Sequence, residues 1–397
     1  MSRDIPPPKW TERGEEPPPH TDADGEQATH SAPVESTRTD DAAPDWSTLL
    51  APVDRWDTFT APPPPPDAFL SYTAHEDRGP SLAMPRGAVS MLASPGGVGK
   101  TMALCDLAIC AAIGRPWLHV FKVDNPGPVL LAVGEEAQNE IRRRLYNAAR
   151  LLQLSDRERE DAGALIHGLP GHGHDCTTLA VTDSTLRESK AVSRRQRKLE
   201  PTEFGDWLKE ITARNRWSLI ILDPAAQFMP ADGETDNGIA ARWVNFCASL
   251  ANTPGKPAVV FAHHMGKAAA KAQNEGKSYG ASAARGASAL TDGIRMQWNM
   301  ATRWYWSEQK NKPQRVVRLS QEKNNYGPWH PAVYLRPSDD ERNGGALEWC
   351  ERPPVSEMHG TEEALLEARQ KAEEAEQAPK GSGRKKAEPA DVVGDVE

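Results

Sequence analysis

From about residue 67 to residue 348 the chain alternates short apolar runs with longer stretches of helical periodicity. Four runs are almost wholly apolar: Ala88–Ala93, Val129–Val133, Ser218–Leu222 and Ala258–Ala262. Such runs, without polar alternation, predict strands buried on both faces, as in a parallel sheet covered by helices. Helical periodicity fills the intervals over Thr101–Ile113, Ala137–Leu152, Glu203–Asn215 and Gly238–Ala251. Strands and helices in that order predict an α/β fold with a mostly parallel sheet. Past Gly293 the texture changes. Ile294–Ser307, Gln314–Lys323 and Pro331–Leu335 predict a C-terminal antiparallel β meander, with a turn at Lys310–Pro313. Trp298, Trp304 and Trp306 fall on one face of its first strand, where packing into a core is the expectation rather than base stacking.

Neither end of the chain follows this pattern. Residues 1–66 hold 14 of the 34 prolines and close on Pro62–Pro66. A Pro- and acid-rich segment of this kind buries too little apolar surface to offset its chain entropy, so a disordered N-terminal segment is expected over 1–66. Trp46, Leu49, Leu50, Trp56 and Phe59 form a small apolar cluster within it, which either packs on the core or docks a partner protein. Residues 349–397 are expected to be a charged, flexible C-terminal tail, with an exposed helix at Thr361–Gln377. Three segments result: 1–66, a globular domain at 67–348, and 349–397.

Composition narrows the setting. No apolar run approaches about 18 residues and the N-terminus has no apolar core of a secretory signal, so no membrane association and a cytoplasmic location are expected. The 5 cysteines lack CxxC spacing, as expected of reduced thiols without a zinc site. Net charge is −9. Residues 1–60 carry 13 acidic and 5 basic side chains, however, so the remainder is near neutral and a nucleic-acid partner is not excluded.

The chemistry concentrates at strand ends. Ala93-Ser94-Pro95-Gly96-Gly97-Val98-Gly99-Lys100-Thr101 follows an apolar strand and opens a helix, beginning with Met102. This is the context a P-loop requires. Glycines let backbone N–H groups curl around phosphates, and the helix N-terminus adds partial positive charge. Lys100 can reach the β- and γ-phosphates of ATP and the Thr101 hydroxyl can ligate Mg²⁺. Ser94 stands where the first P-loop glycine is usual. Leu219-Ile-Ile-Leu222 ends in Asp223, a second Mg²⁺-side carboxylate. Val129–Val133 leads through Gly134 to Glu135 and Glu136; Glu135 is the first candidate for the base that activates water, Glu136 the second. His263 and His264 end the next strand, where a polar side chain can sense the γ-phosphate, and His264 is preferred.

Taken in order, these residues resemble the RepA-type plasmid replicative helicases, a RecA-like branch related to the DnaB helicases. The resemblance runs through most of 85–336. It includes Ala93–Thr101, Glu135-Glu136 with Ile141-Arg-Arg-Arg-Leu145, Leu219–Asp223, His263-His264, the Arg285–Arg295 segment and Lys323-Asn-Asn-Tyr-Gly-Pro328. It implies a RecA-like P-loop NTPase core assembled into a homo-oligomer, usually a hexameric ring, with ATP between neighbours. It also implies an arginine finger supplied by the adjacent subunit, at Arg285. DnaB-type relatives carry a Lys-x-Arg pair near the C-terminus; Lys323 matches the lysine and Asn325 stands in place of the arginine, leaving Lys323 an auxiliary nucleotide contact.

The segment after His264 is long, basic and rich in small residues. In a ring it faces the channel, where Lys267, Lys271 and Lys277 can track a single-stranded DNA backbone and Tyr279 can stack on a base. Arg194–Lys198, within a probable insertion at Gly171–Lys198, is a second basic run. An ATP-dependent helicase or translocase on single-stranded DNA is the leading expectation, serving replication of a plasmid, phage or mobile element. Two others stand beside it: a RecA-like DNA-dependent ATPase that does not unwind, and an ATP-gated loader whose N-terminal segment recruits a partner.

Overall fold

The computed structural model describes residues 64–74, 79–185, 195–266, 271, 288–354 and 357–377. Strands β1 (Ala68–Tyr72) and β2 (Ser81–Pro85) precede β3 (Val89–Ser94), which leads through the phosphate loop into α1 (Lys100–Ile113). There follow β4 (Phe121–Val123), β5 (Val129–Val133), α2 (Gln138–Leu151), α3 (Asp156–Leu165) and β6 (Ile166–Pro170). Next come β7 (Leu179–Thr185), β8 (Arg195–Pro201), α4 (Glu203–Arg214), β9 (Leu219–Asp223), α5 (Asn237–Ala251) and β10 (Ala258–His264). The last described elements are α6 (Ser288–Gly293), β11 (Met296–Ser307), β12 (Lys312–Asn324), β13 (Val333–Pro337), β14 (Leu347–Cys350) and α7 (Glu362–Gln377).

Nine strands form one sheet in the order β14-β13-β12-β11-β3-β10-β9-β5-β6. The six from β11 to β6 are parallel to their neighbours, and β11 to β14 pair antiparallel. Alternation along each strand divides the core. Val89, Met91, Ala93, Ile220, Leu222, Val259 and Phe261 face α4 and α5. Leu92, Leu131, Ile221 and Val260 face α1. Both faces are therefore apolar, which is why these strands read as continuous runs rather than alternating ones. This is the RecA-like P-loop fold, with the antiparallel meander appended at one edge of the parallel sheet.

Helix α1 is buried nearly all round, from Met102 to Ala112. It packs on the sheet, is flanked by α2 and α3, and shares a core with the small sheet β2-β1-β4. That small sheet was not expected. Its strands are short, and β1 and β2 meet with register shifts, so no period marks them. It is pinned by an aromatic cluster. Trp298 lies 5.4 Å from Trp117 and 5.6 Å from Phe121, and its Nε1–H donates to His330 Nε2 at 3.2 Å.

Trp298 is core, as expected, and its two companions are half-buried under the end of the chain. Trp304 bridges to His359, and the Arg369 guanidinium on α7 stacks 3.9 Å from the Trp306 ring centre. Helix α7 thus lies against the meander with Leu365 buried, where a solvated helix was expected. The loose tail expected after residue 348 gives way, over the described residues, to β14 and this docked helix. The reason is that α7 has enough apolar positions to cover the tryptophans even though its other faces are charged. Within the expected insertion, β7 and β8 form a separate antiparallel hairpin. Lys198 there pairs with Glu200 at 2.6 Å, while Arg194 lies outside the described residues.

Trp298→Ala should destabilise the protein by about 3–5 kcal/mol, the range for emptying a buried aromatic site, and it also deprives His330 of its donor. Urea unfolding midpoints of variant and parent check this.

Candidate active site

Register brings the carboxyl ends of four parallel strands level. His264 on β10 lies opposite Ser94 on β3, Leu222 on β9 opposite Phe261 on β10, and Val133 on β5 opposite Asp223 on β9. Ligands of open α/β sheets bind beyond such ends, where successive connections leave in opposite directions. From β3 the chain passes to β5 on one side, and from β10 to β11 on the other. A cavity of about 410 Å³ opens at this point. The phosphate loop from Gly97 to Met102 lines it with Glu135, Arg144, Asp223 and His264; the meander contributes Arg315, Pro337, Gly345 and Leu347.

Gly97 and Gly99 take positive φ values of 73° and 112°, the left-handed region that a side chain resists. Pro95 and Gly96 belong to the same loop but do not line the cavity. Lys100 opens α1 and is buried. Its ammonium donates to Ser94 Oγ at 2.9 Å and lies 3.4 Å from His264 Nδ1. Ser94, in the position usual for glycine, therefore anchors the lysine, a role that only the folded loop reveals. Burial pulls the Lys100 ammonium below its ordinary range, against the opposing pull of Asp223 and Glu135. Burial likewise pushes the Asp223 carboxyl up, against the Thr101 hydroxyl and the Lys100 charge. Desolvation outweighs attraction for both groups.

Asp223 is only 3% exposed and its Oδ2 has no hydrogen-bond partner. A buried, unpaired carboxylate oxygen beside the Thr101 hydroxyl is a donor set suited to a hard divalent cation such as Mg²⁺. Gly134 donates its N–H to the Asp223 carbonyl at 2.8 Å. A Cβ at Gly134 would come within 2.5 Å of Gln227 Cβ, so only glycine lets the chain pass here and deliver Glu135 to the cavity. The two glutamates then diverge. Glu136 is held by Arg144 at 2.5 Å, whereas Glu135 is exposed on the cavity wall.

Lys323 is not brought to this cavity. Its ammonium donates to the Thr291 and Asp292 carbonyls at 2.8 and 3.1 Å, capping the C-terminal end of α6. The two residues sit at opposite ends of β12, with Arg315 at the cavity. An auxiliary role for Lys323 toward the nucleotide of its own chain is thereby corrected. Lys271 is described and exposed; Arg285, Lys267, Lys277 and Tyr279 lie outside the described residues. Arg144, Arg315 and Leu347 were not expected at the site. Arg144 sits in the arginine run after Glu136, a signal that was available. Arg315 and Leu347 carry none, because only strand pairing in the meander brings them here.

A family model described as an AAA domain matches residues 49–270, more than half of the chain. The chain belongs to this AAA domain family. With its phosphate loop assembled, it is a nucleotide-binding P-loop ATPase. The AAA domain match ends before β11, so the meander wall of the cavity lies beyond it. Among solved structures, an isolated ATPase domain is 13% identical, with a TM-score of 0.42, covering 67% of this chain and 86% of its own. The KaiC-like protein PH0186 of the hyperthermophilic archaeon Pyrococcus horikoshii OT3 is 10% identical, with a TM-score of 0.40, covering 68% and 91%. Among the described residues no helix is long and apolar enough to cross a membrane.

Further along α1, Asp106 is 6% exposed with Oδ1 unpartnered, and burial raises its carboxyl from 3.8 to about 7. The folded state then keeps a proton that the unfolded chain releases near pH 4, so stability falls as pH rises from about 4 to about 7. Asp106→Asn removes this slope. It should stabilise the protein at about pH 8 by on the order of 1–3 kcal/mol, with the gain vanishing toward about pH 4. Chemical denaturation of both proteins across that range checks the sign.

Proposed function

We propose that this ATPase is a RepA-type motor that hydrolyses ATP to move along or unwind single-stranded DNA, as a ring of identical subunits, usually six. The observation that carries the hydrolytic part is the convergence of Lys100, Thr101, Asp223, Glu135 and His264 on one cavity at the strand ends. Lys100 neutralises the β- and γ-phosphates of bound ATP. Thr101 and Asp223 hold Mg²⁺, which when bound supplies positive charge to the phosphate oxygens. Glu135, exposed and not tied to Arg144, orients the attacking water and accepts its proton. His264 touches Lys100 and ends the strand that runs into the basic segment, so it can relay the state of the γ-phosphate to that segment. The order of motifs supports the DNA-motor part, together with the basic Lys267, Lys271 and Lys277 directly after β10. Arg285 from the neighbouring subunit completes the site.

Lys100→Ala and Glu135→Gln should each abolish steady-state ATP hydrolysis with the fold retained, and turnover near that of the parent would overturn the site assignment. Strand displacement on a forked duplex tests the motor. ATP hydrolysis stimulated by single strands without displacement would favour the non-unwinding ATPase instead.

The shared site has its own test. Arg285→Ala should bind ATP nearly normally but hydrolyse it about 10³–10⁵-fold more slowly, the worth of arginine fingers elsewhere. Mixing Arg285→Ala with Lys100→Ala subunits should restore part of the activity, because some interfaces then pair an intact loop with an intact arginine. No recovery in oligomers shown to be mixed would exclude a finger acting between subunits. Changing Lys271 and Lys277 to Ala should flatten the dependence of log affinity on log salt by about 1.4, at roughly 0.7 per phosphate contact, without loss of basal ATPase.

A further inference from the structure

The meander grips the phosphate loop at three consecutive residues. Arg315, on β12, donates through Nη2 to the carbonyl oxygens of Gly97 at 3.1 Å and Val98 at 3.2 Å. Leu347, on β14, packs against Gly99 so closely that a Cβ there would meet its Cδ1 at 2.9 Å. Both side chains also line the cavity. All of this wall falls outside the residues matched by the AAA domain.

A peptide plane carries its C=O and the following N–H in opposite directions. Holding the Gly97 and Val98 carbonyls toward Arg315 therefore turns the N–H groups of Val98 and Gly99 to the other side of the loop. Glycines at 97 and 99 leave this arc free to adopt other conformations, and Gly96 and Gly97 have open space where a side chain would stand. A loop this permissive needs an external restraint if its N–H groups are to be ready for phosphate. Arg315 is half-buried, and among the described residues no carboxylate pairs with it. A carboxylate-bound arginine would be neutralised and drawn away. Here the two carbonyls fix the guanidinium while leaving its charge to act at the cavity.

We propose that Arg315 is a positioning residue for nucleotide binding: a clamp, supplied in the same chain by the meander, that presets the phosphate loop for the polyphosphate of a nucleoside di- or triphosphate. This rests on the phosphate loop being the nucleotide site. A clamp on the loop acts on bound ground state and transition state alike, so it governs affinity more than turnover. It also acts on ADP as on ATP, because the restrained loop belongs to both.

The test is nucleotide affinity, measured with ATP and ADP by calorimetry on the full chain, beside steady-state hydrolysis and the thermal midpoint of the nucleotide-free protein. Arg315→Ala should raise both dissociation constants by about tenfold to a hundredfold, the worth of charge-assisted hydrogen bonds. The turnover number at saturating ATP should change by less than about threefold. Arg315→Lys, which keeps a charged donor, should recover part of the affinity. An unchanged dissociation constant with a lowered thermal midpoint would overturn the proposal and make Arg315 a strut of the fold. So would a loss confined to turnover. If Arg315→Ala does not fold, unchanged affinity in Arg315→Lys and Arg315→Gln overturns it equally. Lys100→Ala is the control for the underlying reading. If Lys100→Ala loses nucleotide and Arg315→Ala does not, the site stands and the clamp fails. If Lys100→Ala binds as the parent does, the phosphate loop is not the nucleotide site, and the clamp falls with it.

Discussion

A lysine and an aspartate are buried together at the edge of a parallel sheet, and most of the molecule serves to keep them there. Taking Lys100 and Asp223 out of water costs more than their mutual attraction returns, since burial drags the two groups toward neutrality from opposite sides. The arrangement survives because neither side chain can leave. Lys100 is the first residue of a helix locked into the core from Met102 to Ala112, and its ammonium is tied to Ser94. Asp223 ends a strand whose every residue is buried. The apolar sheet thus supplies the stability that lets two costly charges face the cavity, and a polyanion with its cation is the chemistry that relieves both.

The same sheet decides which of two adjacent glutamates is available. Gly134 passes so close to Gln227 that no side chain fits, and its N–H is fixed on Asp223. Beyond that point Glu135 falls on the cavity and Glu136 on Arg144. One residue of displacement exchanges a candidate base for a structural ion pair. The choice rests on strand register, which is set by the burial of β5 and β9 on both faces.

The meander makes the site two-sided. β12 starts at the cavity with Arg315 and ends at α6 with Lys323, and α6 is the first helix described after the basic segment. One strand therefore touches both the phosphate loop and the exit of the proposed DNA-binding region. Its partner β11 is held down by the cluster of Trp298, Trp117, Phe121 and His330, and its far end is covered by α7.

How much of this was legible varies with the range of the interaction. Buried parallel strands announce themselves as unbroken apolar runs, and a P-loop is contiguous because its backbone must wrap one phosphate group. The parallel core, the phosphate loop, Asp223 and the pair Glu135-Glu136 could accordingly be found from residue order alone. The small β2-β1-β4 sheet could not, because its strands are too short for a period and gain their stability from aromatic contacts across the fold. Arg315 and Leu347 look like ordinary positions on half-exposed strands. Lys323, which motif order placed at the nucleotide, caps α6 instead. Local pattern determined which strands and which loop would form. Only the antiparallel pairing of β11 to β14, a set of contacts between residues far apart in the chain, decided which side chains would stand opposite that loop.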